Sequence, residues 1–287
     1  MSRWANRRAR FRSILNGDTC IFPASTFDPI TARIAQEIGY EVGMLAGSTA
    51  AQTVLAAPDY ILLTLTEFAD QAQRISRVCD LPLMTDADHG YGNALNVART
   101  VEELEAAGVA GLSIEDTALP EPFGSAGQTQ ILSLDEGVGK IRAAVAAKSD
   151  PSLVVAGRTS APAINGLDDG LRRARAYQDA GADMIFLIGI KTWADLDEVA
   201  KHITLPIMLG GAPTALMTPS ELAARGVRIC LQGHHTLPAA IQAIHQTLTA
   251  LRDGVKPSEL ENLADKDFMN RILKKDVYDN MRKTYLN

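Results

Sequence analysis

The sequence predicts an α/β protein built as one (β/α)8 barrel, on three observations. A phrase made of helical residues, a glycine and a short apolar run recurs along the chain: IAQEIGYEVGMLAG, ELEAAGVAGLSIED, YQDAGADMIFLIG and ELAARGVRICLQG. Eight apolar runs in all alternate with helical stretches, and no Gly-rich phosphate loop follows the first, which disfavours an open dinucleotide-binding sheet. The length of 287 residues suits a single barrel.

Each element has a local reason. The glycine of the repeated phrase supplies the left-handed position that ends a helix. The run after it does not alternate, as expected of a parallel strand covered on both faces. Two further strands, LPLMTDAD and LPIMLGG, are entered through proline, which fits where no ladder donor is needed. Strands are expected near residues 20–26, 42–47, 82–88, 111–116, 153–159, 184–189, 206–211 and 228–233. Helices over Leu65–Val78, Asn93–Ala107 and Ser133–Lys148 fill three of the gaps. After the eighth helix, LPAAIQAIHQTLTALRDG, comes a charged tail in which Leu263, Phe268, Ile272 and Leu273 form a thin apolar stripe. The expected division is a barrel over residues 1–255, amino-terminal helix included, and a helical tail over 256–287 that packs on the barrel or on a neighbouring subunit.

Aromatic residues make up only 5% of the chain, so Ala, Val, Ile and Leu must fill the core. A net charge of −6 argues against a nucleic-acid partner, which needs a concentrated basic surface. The one basic run, RWANRRARFR (Arg3 to Arg12), is read as a solvated first helix covering the barrel base; a phosphate-binding arm and an organellar transit peptide are the alternatives. Trp4, Phe11 and Ile14 recur at roughly helical spacing, and the first strand follows at once, which favours the helix. No apolar run approaches the ~20 residues needed to span a bilayer, so no membrane partner is expected. Cys20, Cys79 and Cys230 show no C-x-x-C spacing and read as free buried thiols in a reducing cytoplasm.

In a barrel the reactive groups belong at the carboxyl ends of strands, and the polar residues of this chain collect there. Ser48 follows VGMLAG, Asp86 and Asp88 close the third run in LMTDADHGYGN, and Glu115 and Asp116 close the fourth. Arg158 ends the fifth; His234 and His235 end the eighth. Residues i and i+2 of a strand share a face, so Asp86 and Asp88 are expected to present both carboxylates to one space. There they would raise each other's pKa unless a cation intervenes. Hard oxygen donors without a His or Cys pair favour Mg2+, with Mn2+ as the alternative. Glu115 reaches the same ion directly or through water, and Arg158 offers a planar partner for a substrate carboxylate. Singly, each residue has a plainer reading: a solvated turn for Asp-x-Asp, a helix-cap pair for Glu115-Asp116, a salt-bridge partner for Arg158. Their joint position on strands three to five points to a metal site.

AGST, DADHGYGN, SIEDT and GRT, in this order, resemble the phosphoenolpyruvate mutase/isocitrate lyase superfamily over residues 10–255. LAAPDY, DADHGYGNALNV, DEGVGKI and the strand-eight GH are similar to its oxaloacetate decarboxylase branch. The resemblance implies Mg2+-dependent chemistry on α-keto acids or their enolates. It makes Asp86 the direct metal ligand, with Asp88 and Glu115 holding metal-bound waters. Ser48 and the Gly47 backbone beside it would receive the substrate's carboxylate and keto oxygen, and Arg158 would pair with a carboxylate. Asp59, after Pro58, falls near the metal–water shell. His234 orients the substrate or supplies a proton, while His235 reads as structural. The resemblance also implies a homotetramer, a dimer of dimers, that exchanges the eighth helix between neighbours, and a mobile loop after strand four.

The expected activity is that of a carbon–carbon lyase: decarboxylation of oxaloacetate to pyruvate and CO2. The alternatives are cleavage or hydrolysis of another small keto or hydroxy diacid (2-methylisocitrate-like, alkylmalate or phosphonopyruvate) and a non-catalytic barrel that binds such acids. The loop DTALPEPFGSAGQTQ separates them. Lyases that split isocitrate or 2-methylisocitrate carry Lys-(Lys/Arg)-Cys-Gly-His there, and the phosphonate enzymes carry Lys and Asn; this chain has neither. Two departures bear on which keto acid fits: Ser160, where the family often has Asn or Asp, and the plain LGGAPTA of Leu209–Ala215. His89 is expected to point outwards.

Overall fold

A computed structural model describes residues 4–125 and 127–286. Arg3 of the basic run, Ala126 of the loop after strand four and the last residue of the tail lie outside them. Eight parallel strands run in sequence order among the described residues: β1 (Ala24–Ser25), β2 (Gly43–Ala46), β3 (Leu83–Asp86), β4 (Gly111–Glu115), β5 (Val154–Thr159), β6 (Met184–Ile188), β7 (Ile207–Gly210) and β8 (Val227–Cys230). A lone parallel bridge between Ile21 and Ile229 joins the chain before β1 to β8. There the Ile21 N–H donates to Arg228 at 2.9 Å and the Cys230 N–H donates to Ile21 at 3.0 Å. The curled sheet therefore closes into a barrel.

The glycine stops behave as the repeat predicts. Gly39, Gly108, Gly181 and Gly226 all lie in the left-handed region, with φ between 81° and 98°. Helix starts are equally local. Thr64 and Glu67 form a capping box ahead of Leu65–Val78, and Asn93 and Asn96 form another ahead of Ala94–Ala107. β1 is shorter than expected, because Pro23 has no N–H to give the ladder.

Two apolar layers form the core. Met44, Met84, Val154, Met184, Phe186 and Met208 fill the barrel, and Phe11 and Leu15 of the amino-terminal helix (Ala5–Leu15) plug its base. The second layer lies between strands and helices.

The basic run is corrected by the structure. The helix covers the base as expected, but Arg7 and Arg8 are buried, Arg8 to 2% exposure. Arg8 donates to the carbonyls of Val109 and Glu105 at 3.0 and 2.7 Å and pairs with Asp150 at 2.7 Å. Arg12 donates to the Ser152 and Leu153 carbonyls and pairs with Asp183 at 2.9 Å. Helix ends and loops leave carbonyls unpaired at the base, and guanidinium donors satisfy them. These arginines are committed to the protein's own acceptors, not to solvent or phosphate.

The last barrel helix (Thr236–Arg252) buries only Leu237 and exposes Ile241, Ile244 and Leu248. In the tail, Ile272 is buried and its carbonyl accepts from Arg33 of the helix Pro29–Ile38 at 2.9 Å. Among the described residues no helix is long and apolar enough to cross a membrane.

Candidate active site

A cavity of about 800 Å³ opens at the carboxyl ends of the strands. Ser48, Asp59, Asp86, Asp88, Glu115, Arg158 and His234 all line it. Sheet register explains the core of this set. Asp86 lies beside Ser113 across β3 and β4, and Glu115 lies beside Arg158 across β4 and β5. Asp86 accepts from the Ser113 hydroxyl at 2.8 Å and from the Arg158 guanidinium. The other arm of Arg158 reaches Glu115 at 3.1 Å. Phe186, next in register on β6, lies under the guanidinium at 5.3 Å from its ring centroid. Arg158 is thus clamped between two carboxylates and a ring, with its buried Nε unpartnered.

Asp88 reaches the cavity by another route than strand alternation. β3 ends at Asp86, and Asp88 takes the left-handed conformation, φ 48°. The turn lays its carboxylate against Gly47, where an added Cβ would stand 2.2 Å from the nearer oxygen. Gly47 is therefore the gap that admits Asp88. It also opens the helix Gly47–Leu55, whose N-cap, Ala46, brings no side-chain acceptor. The free N–H groups and the positive end of the helix dipole meet the cavity beside Ser48.

Two neighbouring polar residues are structural. Asp116 faces away and accepts from Tyr177 at 2.6 Å and Arg173 at 3.1 Å. Tyr177 crosses the helix Leu134–Ala146 at Gly137, where a Cβ would lie 2.4 Å from its oxygen, which accounts for the first glycine of DEGVGKI. His89 does not point outwards: it is 4% exposed, packs 5.8 Å from the Tyr91 ring, and burial pushes its pKa down to about 4.

The site carries more negative charge than it neutralises. Burial, then the charges of Asp86 and Glu115, hold the Asp88 carboxyl well above the usual carboxylate range. Burial raises Glu115 to about 6, opposed by Arg158 and helped by Asp86. Asp59 is raised by burial and by Asp86. Arg158 is the one guanidinium set among these four acids. A divalent ion suits this oxygen-only, charge-excess set. Among the described residues, however, no three His, Cys, Asp or Glu side chains are grouped closely enough to hold an ion by themselves. Any ion bound here would draw much of its shell from water or substrate.

Sequence reasoning missed the apolar part of the lining, Phe186, Ile188, Met217 and Leu231; Gly210 and Gly211, from the Leu209–Ala215 stretch singled out above, line the cavity beside it. Read along the chain, those apolar residues are ordinary core residues. Leu119, Pro120 and Glu121, in the loop after β4, also line the cavity, as does His235; Ser160 does not.

Comparison with known proteins follows this geometry. Residues 11–252 match the family model described as phosphoenolpyruvate phosphomutase. The chain is 54% identical over 276 residues, 96% of its length and 95% of the relative's, to a protein of Rhodopseudomonas palustris (strain BisA53) named oxaloacetate decarboxylase. Among solved structures it is similar to phosphoenolpyruvate phosphomutase from Streptomyces platensis subsp. rosaceus, with a TM-score of 0.86, 29% identity and 98% and 99% of the two chains covered. Phosphonopyruvate hydrolase in complex with oxalate and Mg2+ gives 0.85 and 26%, with 98% and 99% covered. The chain belongs to the phosphoenolpyruvate phosphomutase family, within the phosphoenolpyruvate mutase/isocitrate lyase superfamily.

Proposed function

We propose that this chain is a carbon–carbon lyase that decarboxylates oxaloacetate to pyruvate and CO2. The observation that carries the reading is the 54% identity, over nearly the whole of both chains, to a protein named oxaloacetate decarboxylase. The two-sided cavity gives that reading a mechanism.

The first turn of the helix Gly47–Leu55, with Ser48, would receive the C1 carboxylate and C2 keto oxygen. As the C3–C4 bond breaks, its electron pair moves into the C2–C3 bond and charge grows on the keto oxygen; C3 of the resulting enolate then takes a proton from solvent as CO2 leaves, giving pyruvate. Those N–H groups stand ready for that charge. Asp86, Asp88 and Glu115 would hold Mg2+, or Mn2+, and the bound ion supplies Lewis-acid stabilisation at the keto oxygen. Asp59 extends the acidic wall that would face the ion's waters. Arg158, fixed by Asp86 and Glu115, presents a preset charge to a substrate carboxylate. With C1 and C2 held on the acidic side, C4 faces Phe186, Ile188, Met217 and Leu231. An anionic carboxylate is poorly solvated there and neutral CO2 is not, so the wall favours its departure. His234, in the segment after β8, lines the cavity and would face the substrate. The loop after β4 carries no Cys or Lys, and decarboxylation needs no acid at the breaking bond.

The exposed apolar face of Thr236–Arg252 supports a homotetramer in which this helix docks on a neighbouring copy. The tail assigned to residues 256–287 reads as an appendage to the barrel: among its described residues Ile272 is buried, with its carbonyl held by Arg33. The free buried cysteines support a reducing, cytoplasmic setting.

Pyruvate release from oxaloacetate, with and without a chelator and with the spontaneous metal-catalysed rate subtracted, tests the reading. Chelator-sensitive turnover is expected. An enzymatic rate no higher than that of the metal alone would sink it.

A further inference from the structure

His234 hangs at the end of β8, and one side-chain hydrogen bond holds its ring among the described residues: Nδ1 lies 2.8 Å from the Ser25 hydroxyl. Ser25 is an unusually firm anchor. It is the last residue of β1, is paired in register with Met44, and is 9% exposed. Its carbonyl accepts from the Thr236 hydroxyl at 3.0 Å, so the residues on either side of His235 are both tied to Ser25.

We propose that Ser25 is the positioning residue for His234, donating its hydroxyl proton to Nδ1 and thereby presenting Nε2–H to the cavity as a hydrogen-bond donor. The argument is one of acceptors. A hydroxyl carries a single proton, and among the described residues Nδ1 is the sole acceptor bonded to the Ser25 hydroxyl. If Nδ1–H donated instead, the serine proton would have no partner in the protein at a nearly buried position. The remaining ring nitrogen then carries the proton, and His234 lines the cavity. Burial pushes the His234 pKa down, against the pull of Asp86, which agrees with a neutral ring.

The consequence is a division of labour. A neutral imidazole giving up its Nε2 proton would become an imidazolate, which is out of reach near neutral pH. His234 therefore holds a substrate oxygen and does not protonate C3. This role rests on the decarboxylase reading; the tautomer does not.

The experiment pairs kinetics with 15N NMR of the full-length, histidine-labelled protein. The wild type is expected to show His234 unprotonated at Nδ1 and protonated at Nε2. Ser25→Ala is expected to mix the tautomers and to raise KM for oxaloacetate about tenfold, with kcat changing less, the size of one lost hydrogen bond. Ser25→Thr, which keeps the hydroxyl, should restore both. A wild-type spectrum with the proton on Nδ1, or a Ser25→Ala enzyme with unchanged spectrum and KM, overturns the proposal. A wild type that does not turn over oxaloacetate overturns the decarboxylase reading alone, because the spectrum still decides the tautomer.

Discussion

The two sides of the barrel mouth are built on opposite principles. From β2 to β5 the wall is ionisable and over-determined: Asp86 has two partners, Arg158 has three, and Asp88 is wedged against a glycine. From β6 to β8 the wall carries no acid and no guanidinium: Phe186, Ile188, Gly210, Met217 and Leu231 line it, and Gln232, His234 and His235 follow at its β8 end. The first side can grip an anion and organise a cation. The second excludes water over its apolar stretch and adds a neutral donor, His234, at its β8 end. A reaction that turns a carboxylate into a neutral gas uses both, which is why neither side alone defines the site.

The comparison breaks most sharply at Asp86. Asp86→Ala removes the shared partner of Ser113 and Arg158 and the central oxygen donor, and pyruvate formation should fall roughly 10³-fold. A rate within a few-fold of wild type would mean that the acidic side is not the reacting one. Arg158→Lys keeps the charge but loses the fork that spans Asp86 and Glu115. A loss of about 10²-fold in kcat/KM is expected, mostly in KM, read by initial rates against oxaloacetate.

Gly47→Ala tests the fit within the acidic side. Its methyl must displace the Asp88 carboxylate, so turnover should drop by about tenfold or more, and the melting temperature should fall by the few degrees that 1–3 kcal/mol of overpacking implies. Met217→Gln tests the other side. A similar shape with an amide brings water to the leaving group, and kcat should fall several-fold while KM holds. Unchanged kcat there would remove desolvation from the mechanism.

The smallest effect is one of stability. Burial raises the Glu115 pKa to about 6 in the folded chain. A group raised on folding contributes stability that is complete below its unfolded pKa and disappears as pH rises through the folded value. Metal-free protein should therefore lose about 1–2 kcal/mol between pH 4.5 and pH 6.5 from this group. Saturating Mg2+ should cancel that loss, and denaturant midpoints across the range measure both.

The same contrast explains what could be read along the chain. A charge at the end of an apolar run stands out, so Asp86, Glu115 and Arg158 were legible, as were the strands and the glycine stops. Asp88 was placed in the right cavity for the wrong reason, since a left-handed turn leaves no signature in Asp-x-Asp. Ser113 and Ser25 were invisible, because register between strands decides their partners. The apolar wall was invisible because Leu231 just past a strand and Met217 in a loop look like any core residue. Arg7 and Arg8 misled for a physical reason: their acceptors, Ser76, Glu105 and Val109, lie 69 to 101 residues away and belong to no local pattern.

The lone bridge between Ile21 and Ile229 has one more consequence. A cylinder fastened by so thin a zip can part there while its other seven contacts hold. Ser25 and His234 sit just beyond that zip, on either lip. Turnover should therefore fade at denaturant concentrations where helical signal is still complete, and amide exchange at Ile21 and Cys230 should run ahead of the rest of the sheet.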